Sequence, residues 1–175
     1  MPLRTPVDQI AGNASDCQKE FINDAMTVYS PETGFHFPIN DRMRLAEASE
    51  TKHPDVKGGK ILRAVFEMTV EHDMVDMVDN LHSGCAAYLA DLCTSATYAM
   101  DKTWGWNHLS ASLDVTYHAT APIGTIIAVV CTLRQLEGTI GTSRCEIWDK
   151  NNGQLVASAN HLKMRPRKNL GLPRL

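Results

Sequence analysis

Leu81-His82-Ser83-Gly84-Cys85-Ala86-Ala87-Tyr88-Leu89-Ala90-Asp91-Leu92-Cys93-Thr94-Ser95-Ala96-Thr97-Tyr98-Ala99-Met100 is the stretch on which the fold of this chain turns. From His82 onward it is too long, too apolar and too rich in alanine for a strand, and Asp91 is its only formally charged residue. It therefore reads as a buried helix. Ala86, Ala87, Ala90, Ala96 and Ala99 keep that helix slim, so a sheet can approach closely and curl around it.

The flanks of the helix supply that sheet. Upstream, Leu62, Ala64, Phe66, Met68 and Val70 alternate with Arg63, Glu67 and Thr69, the period of a half-buried strand. Downstream from His108, Leu109, Ala111, Leu113, Val115 and Tyr117 fall on one face of a strand, and Ser110, Ser112, Asp114, Thr116 and His118 on the other. Pro122 and Gly124 make a turn. Ile126 to Leu136 is an almost continuous apolar strand, as expected when both faces are covered, and Glu137-Gly138-Thr139 closes a hairpin. Ile140 to Trp148 forms the next strand, Asn151-Asn152-Gly153 a turn, and Leu155 to Met164 the last strand.

One strand, one long helix and four antiparallel strands make an α+β class in which a curved sheet wraps a single dry helix. Residues 1–59 are irregular apart from an amphipathic helix, Asp16 to Tyr29, with Phe21, Ala25 and Val28 at helical spacing. They are expected to form an N-terminal extension, residues 60–165 one domain, and residues 166–175 a basic C-terminal tail.

Composition excludes several classes of function. With 175 residues and 43% hydrophobic composition the chain can bury one core. A net charge of -3 with scattered Lys and Arg leaves no basic stripe for nucleic acid. No apolar run approaches a membrane span, and the first residues lack the apolar core of a signal peptide. The five cysteines are odd in number, widely spaced and without metal-ligand patterns, so they read as reduced packing residues and no metal is expected. The expected location is cytoplasmic. Pro173-Arg174-Leu175 loosely matches the small-basic-aliphatic terminus read by the peroxisomal import receptor and leaves that compartment as the alternative.

Two places can carry chemistry. His82, Ser83 and Gly84 open the helix, where unpaired N–H groups and a partial positive charge suit a developing oxyanion and Gly84 lets a ligand approach the backbone. Ser83 as a simple N-cap stands beside that reading. Asp91, nine residues after His82, is either a general base or nucleophile with a raised pKa poised over a cleft, or a carboxylate satisfied by a backbone or arginine partner. Ser110 by itself reads as a solvent-facing residue of a polar strand face. His72, His108, His118 and His161 read as isolated surface or core histidines, and Cys85 and Cys93 as packing.

Taken together, Leu81-His82-Ser83-Gly84, Asp91, and Ser110 followed by Thr116-Tyr117 and Pro122 resemble the hotdog-fold acyl-CoA thioesterases of the 4-hydroxybenzoyl-CoA thioesterase superfamily, in the phenylacetate-pathway and thioesterase-superfamily-member-2 branch. The resemblance covers roughly Lys60 to Arg165. It implies hydrolysis of an acyl-CoA or acyl carrier-protein thioester, with coenzyme A as part of the substrate and no cofactor besides. It implies a homodimer or homotetramer joined sheet edge to sheet edge, with the site at the dimer interface. Asp91 would activate water, Ser110 from the neighbouring subunit would hold that water, the Ser83 N–H would bind the oxyanion, and His82 would orient the site. A nucleophilic Asp91 forming a mixed anhydride stays open.

Ser83 departs from the branch by replacing the first glycine of its Gly-Gly pair, and Asp76 by standing where the branch has an asparagine that holds the site near the carbonyl. These departures keep two alternatives in view: a hotdog protein repurposed for another reaction in specialised metabolism, or a non-catalytic acyl-binding oligomer. Lys163, Arg165, Arg167 and Lys168 follow the last strand as candidates for the coenzyme A phosphates, beside a reading as a solvated basic tail.

Overall fold

The computed structural model describes residues 4–29, 37–135 and 138–166. The apolar stretch forms a helix, Ser83–Tyr98, labelled α3 after α1 (Asp16–Val28) and α2 (Phe37–Asp41). Leu89, Cys93 and Ala96 on α3 are fully buried. Six strands, β1 (Arg44–Lys52), β2 (Lys60–Thr69), β3 (Leu109–Tyr117), β4 (Ile126–Gln135), β5 (Ile140–Asp149) and β6 (Gln154–Met164), form one sheet in the order β1-β2-β4-β5-β6-β3. Every neighbouring pair is antiparallel.

The curved sheet packs against α3, and α1 touches both that helix and β1. Small residues make the approach close: a Cβ at Gly141 of β5 would lie 2.8 Å from the Tyr98 ring at the end of α3. The hairpin read at Asn151-Asn152-Gly153 is present, its backbone tied down where Asp149 accepts from the Asn151 and Asn152 N–H groups at 2.8 and 3.2 Å. Three of the five free cysteines, Cys93, Cys131 and Cys145, are buried. Among the described residues no helix is long and apolar enough to cross a membrane. Arg167, Lys168 and the Pro173-Arg174-Leu175 terminus lie outside the described residues.

One boundary needs correction. β1 lies inside the stretch expected to be irregular, and it pairs with β2 along its whole length, Arg44 opposite Glu67 and Lys52 opposite Lys60. The sheet therefore begins at Arg44 rather than Lys60. The charges of Arg44-Leu45-Ala46-Glu47-Ala48-Ser49-Glu50-Thr51-Lys52 masked the alternation, and they are there because an edge strand exposes much of its surface.

The outer edge of β1 is partly covered by residues 11–14. Ala11 N–H bonds the Ala46 carbonyl at 3.0 Å, and Ala14 N–H bonds that of Ala48 at 3.1 Å. Gly12 makes this approach with φ of +90°, and a Cβ there would overlap the Ala48 carbonyl. Gly12→Ala is expected to destabilise the fold by about 2 kcal/mol or more, read as a lower midpoint in chemical denaturation; an unchanged midpoint means that this segment does not brace the sheet.

Candidate active site

The site forms where β3, β6 and α3 meet, and a single irregularity of register creates it. Ser110 stands opposite Lys163, but Ser112 stands opposite Leu162, so β3 carries one extra residue, Ala111, at a β-bulge. An inserted residue shifts the side-chain alternation by one and sends the residues beyond it to the other face. Ser110 thereby leaves the polar face read from period two and turns toward α3, while Leu109 comes to lie 44% exposed. On β6 the inward positions run Ala157, Ala159, His161, Lys163, apolar and then polar, all four buried.

At the point of convergence stands Asp91. Its Oδ1 lies 3.2 Å from Lys163 Nζ, 3.3 Å from Ser110 Oγ and 3.4 Å from both His161 Nε2 and Ser95 Oγ. Ser110 Oγ in turn lies 2.9 Å from Lys163 Nζ and 3.1 Å from His161 Nε2. The Asp91 side chain is 47% exposed, so it faces outward from a buried bed of charge and hydrogen bonds.

Burial acts to raise the Asp91 carboxyl. The charge of Lys163 and the hydrogen bonds from Lys163 and Ser110 outweigh it, and Asp91 sits below the ordinary carboxylate range. The expected raised value is thus corrected: a lysine pairs with this acid, and it stays ionised.

The hydrogen bonds also settle the His161 tautomer. Thr94 Oγ1 is 2.6 Å from the Ala90 carbonyl, which accepts its proton, so Thr94 can only accept from His161 Nδ1 at 2.7 Å. Nε2 is then the unprotonated nitrogen, and it faces the Ser110 hydroxyl.

Several of the expected site residues change place or role. Ser110 meets Asp91 within one chain, not across from a neighbouring subunit. Lys163 lies inside β6 and is spent on Asp91 and Ser110, so it is not a surface anchor for phosphates. Arg165 Nη2 bonds Thr103 Oγ1 at 2.9 Å and its guanidinium lies 4.7 Å from the Trp104 ring centre, a packing role. His161, read as an isolated histidine, is part of the cluster. The signal that could have found it is His161-Leu162-Lys163, two polar residues continuing the buried face of Ala157 and Ala159.

The start of α3 forms a second place. His82, rather than Ser83, is the N-cap: its Nδ1 accepts from the Gly84 N–H at 2.9 Å, which places the ring proton on Nε2. As the first residue of the helix, Ser83 has no carbonyl one turn back, and its N–H stays available at the positive end of the helix. Its carbonyl accepts from Tyr117 Oη at 3.0 Å.

Asp76 shapes the loop ahead of the helix, its Oδ1 accepting the N–H groups of Val78 at 3.0 Å and Asn80 at 3.1 Å. Asp91 lies eight positions after Ser83 on the helix, about 12 Å of rise. Within one chain the Ser83 N–H and the Asp91 carboxylate therefore do not converge on one point.

Burying two imidazoles gives the protein a pH dependence. Burial, aided by the Lys163 charge, pushes His161 down to about 4 and His108 down to about 3. Both titrate near 6.5 when unfolded, so below that pH the unfolded chain binds protons that the folded one refuses, and stability falls as pH falls. Acidification from pH 7 to pH 5 should cost about 2 kcal/mol for each imidazole, measured as a drop in Tm; an equal Tm at the two values means that these rings are not buried neutral.

No family model matches the chain. It is 26% identical over 102 residues to acyl-coenzyme A thioesterase 13 of Homo sapiens, across 58% of this chain and 71% of that protein. The structure matches that of zebra fish thioesterase superfamily member 2 with a TM-score of 0.66 at 22% identity, covering 84% of this chain and 94% of that one. It matches the Escherichia coli PaaI protein from the phenylacetic acid degradation operon with a TM-score of 0.53 at 17% identity, over 61% of this chain and 75% of that one. The fold is the hotdog fold. The resemblance drawn from Leu81 to Gly84, Asp91 and Ser110 to the branch of those proteins is borne out.

Proposed function

We propose that this protein is a thioester hydrolase that converts an acyl-CoA, or an acyl carrier-protein thioester, to a free acid and a thiol. The observation that carries this reading is an ionised, half-exposed carboxylate, Asp91, with the Ser110 hydroxyl 3.3 Å away, seated on a hotdog fold. A water held against both gives its proton to Asp91 as its oxygen adds to the thioester carbon. The oxyanion forms at the Ser83 N–H, where the α3 dipole stabilises it, and collapse of the tetrahedral species expels the thiolate.

Because base and oxyanion donor lie about 12 Å apart along one helix, the complete site needs two copies of the chain. The β3 edge supports that assembly: among the described residues no strand pairs with its outer side, and Leu109 is 44% and Tyr117 50% exposed. Antiparallel pairing of β3 with the same strand of a second copy runs the two α3 helices in opposite directions, and brings the start of one toward the Asp91 of the other. What crosses the interface is then the helix start, while Ser110 acts beside its own Asp91.

Thiol release from a panel of short, long and aromatic acyl-CoAs tests the proposal. Release from at least one class is expected, and none from any of them would sink it.

A further inference from the structure

Hydrolysis by a carboxylate and a water does not in itself call for a buried ammonium, yet Lys163 is only 3% exposed and its charge is carried into the core of the sheet. Taking an ammonium out of water is costly unless it is fully paired. Lys163 Nζ finds Asp91 Oδ1 at 3.2 Å and Ser110 Oγ at 2.9 Å, the two groups that face the reacting water. The bulge at Ala111 converges on the same point. It gives up regular pairing in the ladder, and its effect is to set Ser110 directly opposite Lys163. Two separate departures from ordinary packing, a buried charge and an extra residue in an edge strand, thus serve one three-atom contact.

We propose that Lys163 is a positioning residue for the reaction assigned above, its ammonium clamping the Asp91 carboxylate and the Ser110 hydroxyl from beneath so that both address the same water. The inference rests on the thioesterase reading of this site. Lys163 does not touch the substrate; it acts through its two partners.

The clamp also has a consequence for pH. The groups that contact Asp91 are Lys163 and His161 from β6, Ser110 from β3 and Ser95 on α3, and the titratable groups whose charge couples to it from further off are Tyr29 at the end of α1, His108 ahead of β3, and Tyr88 and Cys93 on α3. Of these, Lys163 contributes the largest effect that holds the carboxyl low, against burial that raises it. Removing its charge takes away the largest of the effects that oppose burial, so the carboxyl must rise and the acid limb of kcat/KM must rise with it.

The test compares native protein, Lys163→Met and Lys163→Arg in thiol release across pH, with the Asp91 carboxyl followed by carbon-13 NMR titration and assigned by its loss in Asp91→Asn. Lys163→Met is expected to lower kcat by about 10- to 100-fold with KM within about twofold, and to move the acid limb and the Asp91 titration upward together. Lys163→Arg, which keeps a cation, should recover part of the rate and hold the limb near its native position. If Lys163→Met does not fold, the native titration still decides: Asp91 must titrate below the free-aspartate range. An Asp91 titration indifferent to the Lys163 charge, or a kcat and acid limb unmoved in Lys163→Met, overturns the positioning role and leaves the thioesterase reading standing. Absence of thiol release from native protein overturns that reading instead.

Discussion

Asp91→Asn is expected to lose about 10²- to 10⁴-fold of thiol release while the protein stays folded. The substitution keeps the shape of the side chain, and an amide oxygen can still accept from Lys163 and Ser110, so the bed of hydrogen bonds around it survives. What it removes is a basic oxygen able to take a proton from water. Lys163 loses its counter-charge, yet it retains Ser110 at 2.9 Å and lies beside a side chain 47% open to solvent, which limits the cost to stability.

Steady-state release with a fixed acyl-CoA, alongside a thermal melt, separates loss of chemistry from loss of fold. Undiminished turnover in Asp91→Asn would remove Asp91 as the base. It would leave Ser110, 3.1 Å from the unprotonated His161 nitrogen, as the candidate nucleophile.

Ser83→Pro mixed with Asp91→Asn should regain activity that neither variant has alone. Proline is well accommodated at the first position of a helix and lacks the N–H, so this substitution deletes the oxyanion donor with little change to α3. Alone, it should lower kcat by about 10²- to 10³-fold.

In a mixed dimer whose site joins the Asp91 of one chain to the Ser83 N–H of the other, one site is doubly defective and the other intact. Refolding the two variants together in equal amounts should then restore about one quarter of the native specific activity, from half the dimers each carrying one of two sites. Were base and donor supplied by the same chain, both sites of the mixed dimer would be dead and nothing would return. The experiment therefore tests the shared site independently of the identity of the acyl group.

Much of the architecture was legible along the chain because it depends on local pattern. The helix from Ser83 to Tyr98 declared itself through length and alanine content, and β2, β4, β5 and β6 through apolar alternation or continuity. β1 escaped because Arg44, Glu47, Glu50 and Lys52 are the residues an edge strand needs where it meets water, and they conceal a period of two.

Asp91 stood out as the lone charge of an apolar helix. Ser110 was reached only through a family resemblance, since strict alternation puts it on the solvent face. His161 and Lys163 were read as an isolated histidine and a tail anchor, because nothing in local sequence says that their strand runs beneath Asp91.

By itself, the sequence determined the central helix, most of the strands around it, and the acid that the helix carries, since each follows from periodicity and composition within a few neighbouring residues. Only the tertiary structure decided what surrounds that acid. The extra residue at Ala111 reverses the facing of Ser110, and pairing of β3 with β6 brings together residues 19, 70 and 72 positions from Asp91, namely Ser110, His161 and Lys163. The reason is physical: local periodicity fixes which way a side chain points relative to its own strand, whereas a bulge and the register between strands are settled by packing across the whole sheet.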